Sequence, residues 1–480
     1  MDFGIISKVI GILLLIESAF MLPSVGISLY YGEADTVPFL VSIAITAFFG
    51  FIGCLFKPKN AAVRYREGFM IVGLGWILAS VFGALPFLFA GTFPSFIDAL
   101  FESVSGFTTT GGTVLSDVES LPHGILFWRS LTHWLGGMGI LVITLSVLPA
   151  MGLSTIQIYR AESPGPSPDK LAPKIGQTAK LLYIVYLIIT VIQVIALKIA
   201  GMPLFDSITH TFGTVGTGGF SIKNASIGAY ENPVYEWIII IFMFLAAINF
   251  SLYYDALRGN FRSLLKDSEF RFYSFVVITS IILIAVDVYG FFHNNLGEAI
   301  RHSAFQVSSL ISTTGYASVN YDLWPEFSKM ILFVLMFFGG CAGSTAGGIK
   351  QIRILLIFKV IKRELYKLIH PRAVISIRLG DKTVSEGIIQ SIMGFFMLYI
   401  LIFAGVSLLL MAQGMDIVSS TSAVVAALSN VGPGFNIVGP AMNYGGLSNL
   451  AKILLTACML LGRLEIYTLL VLLMPSFWKD

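Results

Sequence analysis

Ten apolar stretches constrain this chain more than any other feature: residues 3–31, 36–56, 68–90, 123–149, 176–200, 234–254, 272–293, 326–346, 385–412 and 448–475. Each is long enough to cross ~30 Å of hydrocarbon as a helix. A backbone in lipid must satisfy its own hydrogen bonds, so runs of this length predict helices. Composition agrees, because 56% of the 480 residues are hydrophobic and only 12% are charged. That little polar surface cannot cover a soluble core of such size. The first stretch is too long for a cleaved signal peptide and has no A-x-A-like site before Pro23, so it reads as a retained helix. The expected fold class is an all-α polytopic membrane protein.

Lys and Arg collect in alternate loops. Lys57, Lys59, Arg64 and Arg66 form one group, Arg160, Lys170, Lys174 and Lys180 a second, and Arg258, Arg262, Lys266 and Arg271 a third. The largest group is Lys350, Arg353, Lys359, Lys362, Arg363, Lys367, Arg372, Arg378 and Lys382. The intervening loops carry Glu33, Asp35, Asp98, Asp117, Glu119, Glu231, Asp322 and Glu326 instead. By the positive-inside rule the basic loops are cytoplasmic, and ten spans put both termini there. A nucleic-acid partner is not expected, since its basic face would not recur at every second loop. Cys54, Cys341 and Cys458 have no pairing or metal-ligand spacing and read as packing residues.

A short Thr/Gly phrase is written four times: "TTTGGT" at 108–113, "GTGGFS" at 216–221, "STTGYA" at 312–317 and "NVGPGF" at 430–435. With Gly111, Gly219, Gly315 and Gly432 as anchors, the preceding pairs are Thr109–Thr110, Thr217–Gly218, Thr313–Thr314 and Asn430–Val431. Thirteen residues before the anchors stand Asp98, Asp206, His302 and Ser419, each near the start of a short, mildly apolar segment. Every unit therefore has a long run leaving the cytoplasm, a segment too short to span, the phrase, and a second long run returning. All four share one orientation and can surround one axis as parallel repeats. Re-entrant backbone survives in a membrane only when buried in protein or lining a water-filled path. Gly permits backbone angles that turn carbonyls inward, and rings of carbonyls can replace the hydration shell of a monovalent cation. The twelve residues of these strands are the expected filter for such a cation.

A lone phrase of this kind would read as helix-packing glycine; four in one frame favour a filter. Other motifs fail sharper tests. "GSTAGGIK" at 343–350 has Ile349 where a phosphate loop needs Lys, and "GTGGFS" has Ser221 where a dinucleotide fingerprint needs Gly. No nucleotide is expected on this chain. An intramembrane enzyme is disfavoured, for there is no H-E-x-x-H, and His133 and His210 are placed beside the outer surface. The segment 339–348, "GGCAGSTAGG", puts five glycines in ten residues, at ~1 kcal/mol each relative to Ala in a helix. It reads as a break at mid-membrane lying across the pore, or as close helix packing. Arg463 lies too deep in 448–475 to snorkel and should face protein or water, as a barrier in the path or as the partner of a carboxylate such as Glu465.

Four M1–pore helix–M2 units with "GFTTTGG", "TVGTGGFS", "STTGYAS" and "SNVGPGF" resemble the Trk/Ktr/HKT superfamily of potassium transport proteins. Two additional N-terminal helices, "RSLTHWLGGMGI" at 129–140 and "GGCAGSTAGGIKQIR" at 339–353 are similar to its bacterial Trk-type (TrkH/TrkG-like) membrane subunit. The resemblance implies four parallel repeats around a pseudo-fourfold pore, preceded by two transmembrane helices. The corresponding boundaries are 1–64 for the N-terminal pair, then 65–152, 153–258, 259–370 (with a broken second helix) and 371–480 for the repeats. It further implies a potassium ion at the filter, a homodimer in the bacterial inner membrane, and cytosolic nucleotide-binding (TrkA-like) regulatory subunits. A gating loop would be formed by Gly339, Gly340, Gly343, Ser344, Thr345, Gly347 and Gly348, with Arg463 as an electrostatic barrier beneath the filter. Gly111, where sodium-admitting relatives have Ser, implies potassium. The expected activity is potassium uptake without bond chemistry; coupling to protons or sodium is the open alternative. The basic, apolar-alternating 350–382 segment suits either a docked regulatory protein or anionic lipid.

Overall fold

The computed structural model describes residues 1–58, 63–139, 175–380 and 382–479. Two N-terminal helices, Phe3–Tyr31 and Thr36–Leu55, form a hairpin. They lie close because small residues face each other. A Cβ on Gly11 would come within 2.6 Å of the Gly50 carbonyl oxygen, and one on Gly53 within 2.8 Å of the Gly11 Cα. Without a hydrophobic drive between helices in lipid, such backbone approach is what gains packing energy.

The four repeats follow. Their first helices are Tyr65–Gly83, Ile175–Ile199, Ser268–Asp287 and Glu386–Met411, and their pore helices Phe96–Phe107, Leu204–Val215, Leu296–Ile311 and Ile417–Leu428. The pore helices are too short to span, and three begin with a side-chain cap, from Ser95, Asn295 and Asp416. Among the described residues six helices are long and apolar enough to cross a membrane, or up to eight spans if each bent pair counts as one. The chain is a multi-pass, all-α membrane protein whose described residues otherwise hold one two-stranded hairpin, Arg378–Leu379 with Lys382–Thr383.

The second helices depart from the sequence expectation. The sequence predicts a break in repeat 3, and Glu326–Phe338 is indeed separated from Gln351–Ile369. Repeats 2 and 4 break as well. Pro233–Ala246 meets Phe250–Leu257 at 96°, and Asn449–Arg463 meets Tyr467–Leu473 at 116°. In repeat 1, His123–Gly137 ends at Met138, and residues 140–149 of that apolar run lie outside the described residues. Hydropathy cannot register these breaks, because both halves of a bent helix remain apolar. The basic residues Lys59, Arg160, Lys170 and Lys174 also lie outside the described residues.

The hairpin is locked to repeat 1 by charge. Pro122 heads the His123–Gly137 helix without a side-chain cap. Its free N–H groups are met from the hairpin turn: His123 N–H donates to Glu33 Oε2 (2.6 Å) and Ile125 N–H to Asp35 Oδ2 (3.1 Å). Carboxylates at a helix N-terminus satisfy both the orphan donors and the dipole.

Candidate functional site

All four pore helices end at the same place in the frame. Their C-cap residues are Thr108, Gly216, Ser312 and Ser429, each three before its anchor glycine. The strand that follows turns its N–H groups back onto its own helix. Thr110 N–H donates to Ser105 O (2.8 Å), Gly218 to Gly213 O (2.8 Å), Thr314 to Ser309 O (2.9 Å) and Val431 to Ala426 O (2.8 Å). Among the described residues no donor reaches the carbonyl oxygens of Thr110, Gly218, Thr314 or Val431.

Backbone angles repeat with the same fidelity. Thr109, Thr217, Thr313 and Asn430 have φ of 54°, 55°, 57° and 56°, and the anchors Gly111, Gly219, Gly315 and Gly432 have 82°, 77°, 80° and 97°. The residues between them keep ordinary negative φ. Alternating handedness turns successive carbonyls to one side of a strand, whereas an ordinary strand sends them to opposite sides. Left-handed conformations at non-Gly positions persist only where surroundings enforce them. In repeat 2 this pattern selects Gly219 among its crowded glycines.

The anchors close a ring. A Cβ on Gly111 would overlap the Gly218 carbonyl oxygen, one on Gly219 the Thr314 oxygen, one on Gly315 the Val431 oxygen, and one on Gly432 the Thr110 oxygen. Each repeat thus leaves space for the carbonyl of the next, and the fourth returns to the first. The twelve sequence-predicted strand residues are brought together here, and those of repeat 1 other than Gly111 are buried.

Residues that the sequence reading passed over hold this ring. The Arg129 guanidinium pairs with Glu102 (2.6 Å), donates to Ser221 O (2.8 Å) and lies 3.6 Å from the centroid of the Phe220 ring. Glu102 in turn accepts from Thr113 Oγ1 (2.9 Å) and Val114 N–H (3.1 Å), tying the strand of repeat 1 to its pore helix. Tyr316 Oη donates to His210 O and Phe220 O, and Tyr444 Oη to Gly432 O (2.6 Å). His133 and His210 are fully buried. His133 Nδ1 donates to Gly106 O (2.8 Å), and a Cβ on Gly218 would overlap the His133 ring. That explains the glycine in repeat 2 where repeats 1 and 3 have Thr. The nearest sequence signal was that Gly218 departs from its equivalents.

Outside the ring is an open depression that Gly111, Gly219, Gly315 and Pro433 share with Arg129 and Lys223. At its rim, Asp117 and Glu119 of repeat 1 hold the loop of repeat 2. Asn224 Nδ2 donates to Asp117 Oδ1 (2.9 Å), Asn224 N–H to Glu119 Oε1 (3.1 Å) and Lys223 Nζ to Glu119 Oε2 (3.1 Å). The Asn224 side-chain amide holds the Asp117 carboxyl below its ordinary range, and the Asn224 backbone N–H does the same for Glu119. Both carboxylates therefore stay ionised at the rim, beside the Lys223 ammonium.

Beneath the ring lies the Gly-rich segment. Its neck is tight, as a Cβ on Gly348 would sit 2.7 Å from the Gly339 Cα. Positive φ at Gly339 (66°), Gly343 (72°), Gly348 (77°) and Lys350 (79°) shapes the loop. Gly347 N–H donates to Thr313 Oγ1 (2.7 Å), and a Cβ on Gly347 would overlap Ser429 O. The loop therefore touches the ends of the strands that form the ring. It also leans on the break of repeat 2: Cys341 N–H donates to Ala247 O (2.8 Å), Phe250 N–H to Gly343 O (3.0 Å) and Thr345 Oγ1 to Val215 O and Ala246 O (both 3.1 Å). Gly340 packs on Ala247, while Ser344 Oγ donates to Cys341 O (2.6 Å). Arg463 is the last residue of its helix, and its guanidinium donates to Thr345 O (2.8 Å), Gly137 O (2.7 Å) and Gly136 O. It joins the loop to the end of the second helix of repeat 1. The Glu465 carboxylate is engaged by Arg353. Cys54, Cys341 and Cys458 are unbridged, and Glu17, at the middle of its helix, has a fully buried carboxyl that the sequence reading did not single out.

Known proteins share this architecture. A family model described as a cation transport protein, TrkH, matches residues 37–479. The Trk system potassium uptake protein TrkH of Salmonella typhimurium is 41% identical, with 100% of each chain covered. The potassium uptake protein TrkG of Escherichia coli is 38% identical over 99% of each. The crystal structure of the potassium transporter TrkH from Vibrio parahaemolyticus superposes with a TM-score of 0.90, at 36% identity and 100% coverage of both chains. On these grounds, and on the fourfold repeat that it folds into, this chain belongs to the TrkH family, as a Trk-type transport subunit of the TrkH/TrkG kind.

Proposed function

We propose that the protein carries potassium into the cell through the carbonyl ring, with the Gly-rich loop as its gate. The observation that carries this reading is the closed ring of four glycines, each vacating the space that the next repeat's carbonyl occupies. Carbonyls that meet no donor among the described residues, held on one side of their strands, suit a dehydrated monovalent cation. The pore helices add their negative ends, since all four stop three residues before the ring. Potassium is the cargo that the names of the related proteins give. The loop and the Arg463 guanidinium lie in the path below, where a positive charge in a low dielectric opposes cation flow.

Placement in the inner membrane with both termini cytoplasmic, assembly as a homodimer, and gating by cytosolic nucleotide-binding subunits belong to the same proposal. The helix Gln351–Ile369 continues from the loop and would transmit the partner's movement. Its Arg363 already pairs with Glu386 (2.5 Å) and its Lys359 with Arg378 O (2.5 Å), which leaves exposed Lys362 as the better probe of docking. Potassium flux into proteoliposomes holding the purified full chain, driven by a membrane potential, tests the core claim. Potential-driven entry with preference over sodium and no need of a proton or sodium gradient is expected. A strict requirement for such a gradient overturns the channel reading in favour of coupled transport. Lys362→Glu is expected to weaken co-purification of the nucleotide-binding subunit; undiminished binding removes this helix from the interface.

A further inference from the structure

Arg463 is not the only side chain that holds the loop. Glu269 lies in the first turn of the Ser268–Asp287 helix, the first helix of repeat 3, and is buried. One carboxylate oxygen, Oε1, accepts the N–H of Ala342 at 2.7 Å and the N–H of Ile352 at 2.9 Å. Those two residues flank the Gly-rich loop, one just inside its start and one just past its end. Neither donor has a partner within a helix, because both lie where the helix is broken or beginning. Buried backbone N–H groups require acceptors, and a carboxylate is a stronger one than a carbonyl.

We propose that Glu269 is the latch of this loop: a positioning residue whose single oxygen holds both flanks together and so keeps the loop across the pore. The inference rests on the gating reading above. Three features of the neck agree with it. Gln351 Nε2 donates to Gly339 O (2.7 Å), Ile349 N–H to Phe337 O (3.0 Å), and Gly339 lies against Gly348. All three stay within the second helix of repeat 3, so they shape the loop without fixing it to the wall. Glu269 reaches it from another helix, one step beyond the cytoplasmic segment that contains Arg258, Arg262 and Lys266. Withdrawing that carboxylate takes a bond from both flanks at once and leaves the loop to the bonds that Cys341, Gly343 and Thr345 make with repeat 2 and Gly347 makes with Thr313.

The test compares Glu269→Ala, Glu269→Asp and Glu269→Gln in proteoliposomes without any partner, with Arg463→Ala beside them. Gln keeps an acceptor oxygen at the same reach without the charge; Asp keeps the charge but falls one methylene short. Glu269→Ala is expected to raise potassium flux on the order of tenfold, the effect of removing its two hydrogen bonds from one side of a two-state equilibrium when about 1.4 kcal/mol of their net worth is specific to that side. Glu269→Asp should behave like Ala, and Glu269→Gln should fall between Ala and the unaltered protein. The second readout is the rate at which a small thiol reagent modifies Cys341, identified by mass spectrometry. Cys341 is buried beside Ala342, and its modification should accelerate in the same order while preference for potassium over sodium is unchanged. Unaltered flux and a protected Cys341 in Glu269→Ala, with flux raised in Arg463→Ala, overturn the latch and leave the gate standing. Flat flux in both overturns the gate and the latch with it. If Glu269→Ala does not fold, the Asp and Gln variants decide. Closure by Asp and opening by Gln would make bare charge the cause and overturn the hydrogen-bonded latch.

Discussion

Adding a side chain at Gly111 tests the carbonyl ring most directly. In Gly111→Ser the new Cβ is placed on the Gly218 carbonyl oxygen, with Gly218 C and Gly219 C also within 4 Å. Serine must in addition hold φ at 82°, for which the left-handed penalty is about 1–2 kcal/mol. Neither demand can be met by rotating a flexible neighbour, because the obstacle is backbone. The strand of repeat 2 must move, and its carbonyls leave their positions in the ring. If relief of that strain removes a comparable ~1.4 kcal/mol from the difference between potassium and sodium coordination, selectivity falls about tenfold. Competition between the two ions in proteoliposomes measures it. Because the ring is cyclic, Ala at Gly219, Gly315 or Gly432 should have a similar effect through Thr314, Val431 or Thr110 respectively. Gly446→Ala is the control, for a Cβ there would meet no atom within 4 Å and the backbone φ is ordinary. Unchanged potassium preference in folded Gly111→Ser, or an equal loss in Gly446→Ala, would refute the ring.

Arg463→Ala should raise partner-free flux several-fold, since it removes a positive charge and the bonds that tie Thr345 O to Gly136 O and Gly137 O; flux assays as above decide, and no rise ends the barrier role. Arg129→Leu leaves Glu102 buried without its cation, so thermal denaturation should show a loss of about 3–5 kcal/mol, and a loss below ~1 kcal/mol would mean that the pair does not brace the filter. Asp416 caps the pore helix of repeat 4, and its hydrogen bond from the Ser419 side chain depresses its carboxyl. A depressed folded value means that its stabilisation is full above the unfolded value, ~3.9, and fades as pH falls through the folded one. Asp416→Asn should flatten that part of the acid denaturation curve, and an unchanged curve would exclude the cap.

Periodic information was legible in the sequence alone. Hydropathy determined that the chain spans a membrane, because backbone in lipid leaves helices as the answer to long apolar runs. Four Gly anchors in one frame set the repeat and the strand register, and the structure keeps that register in its C-caps, positive φ values and N–H partners. Such features survive in sequence because they depend on local backbone geometry, which only certain residues permit at a given position. Contacts between distant segments were not legible. Glu269 reaches Ala342 and Ile352, Glu33 and Asp35 cap a helix that begins at His123, and the His133 ring occupies the space that Gly218 vacates. The breaks in repeats 2 and 4 were hidden for a related reason. Their halves are apolar on both sides of the bend, and what stabilises the bend, the loop of repeat 3 and the Arg463 guanidinium, comes from elsewhere in the chain or from the helix end itself. Buried polar groups must find partners wherever the fold brings them, and only the tertiary structure decides which they are.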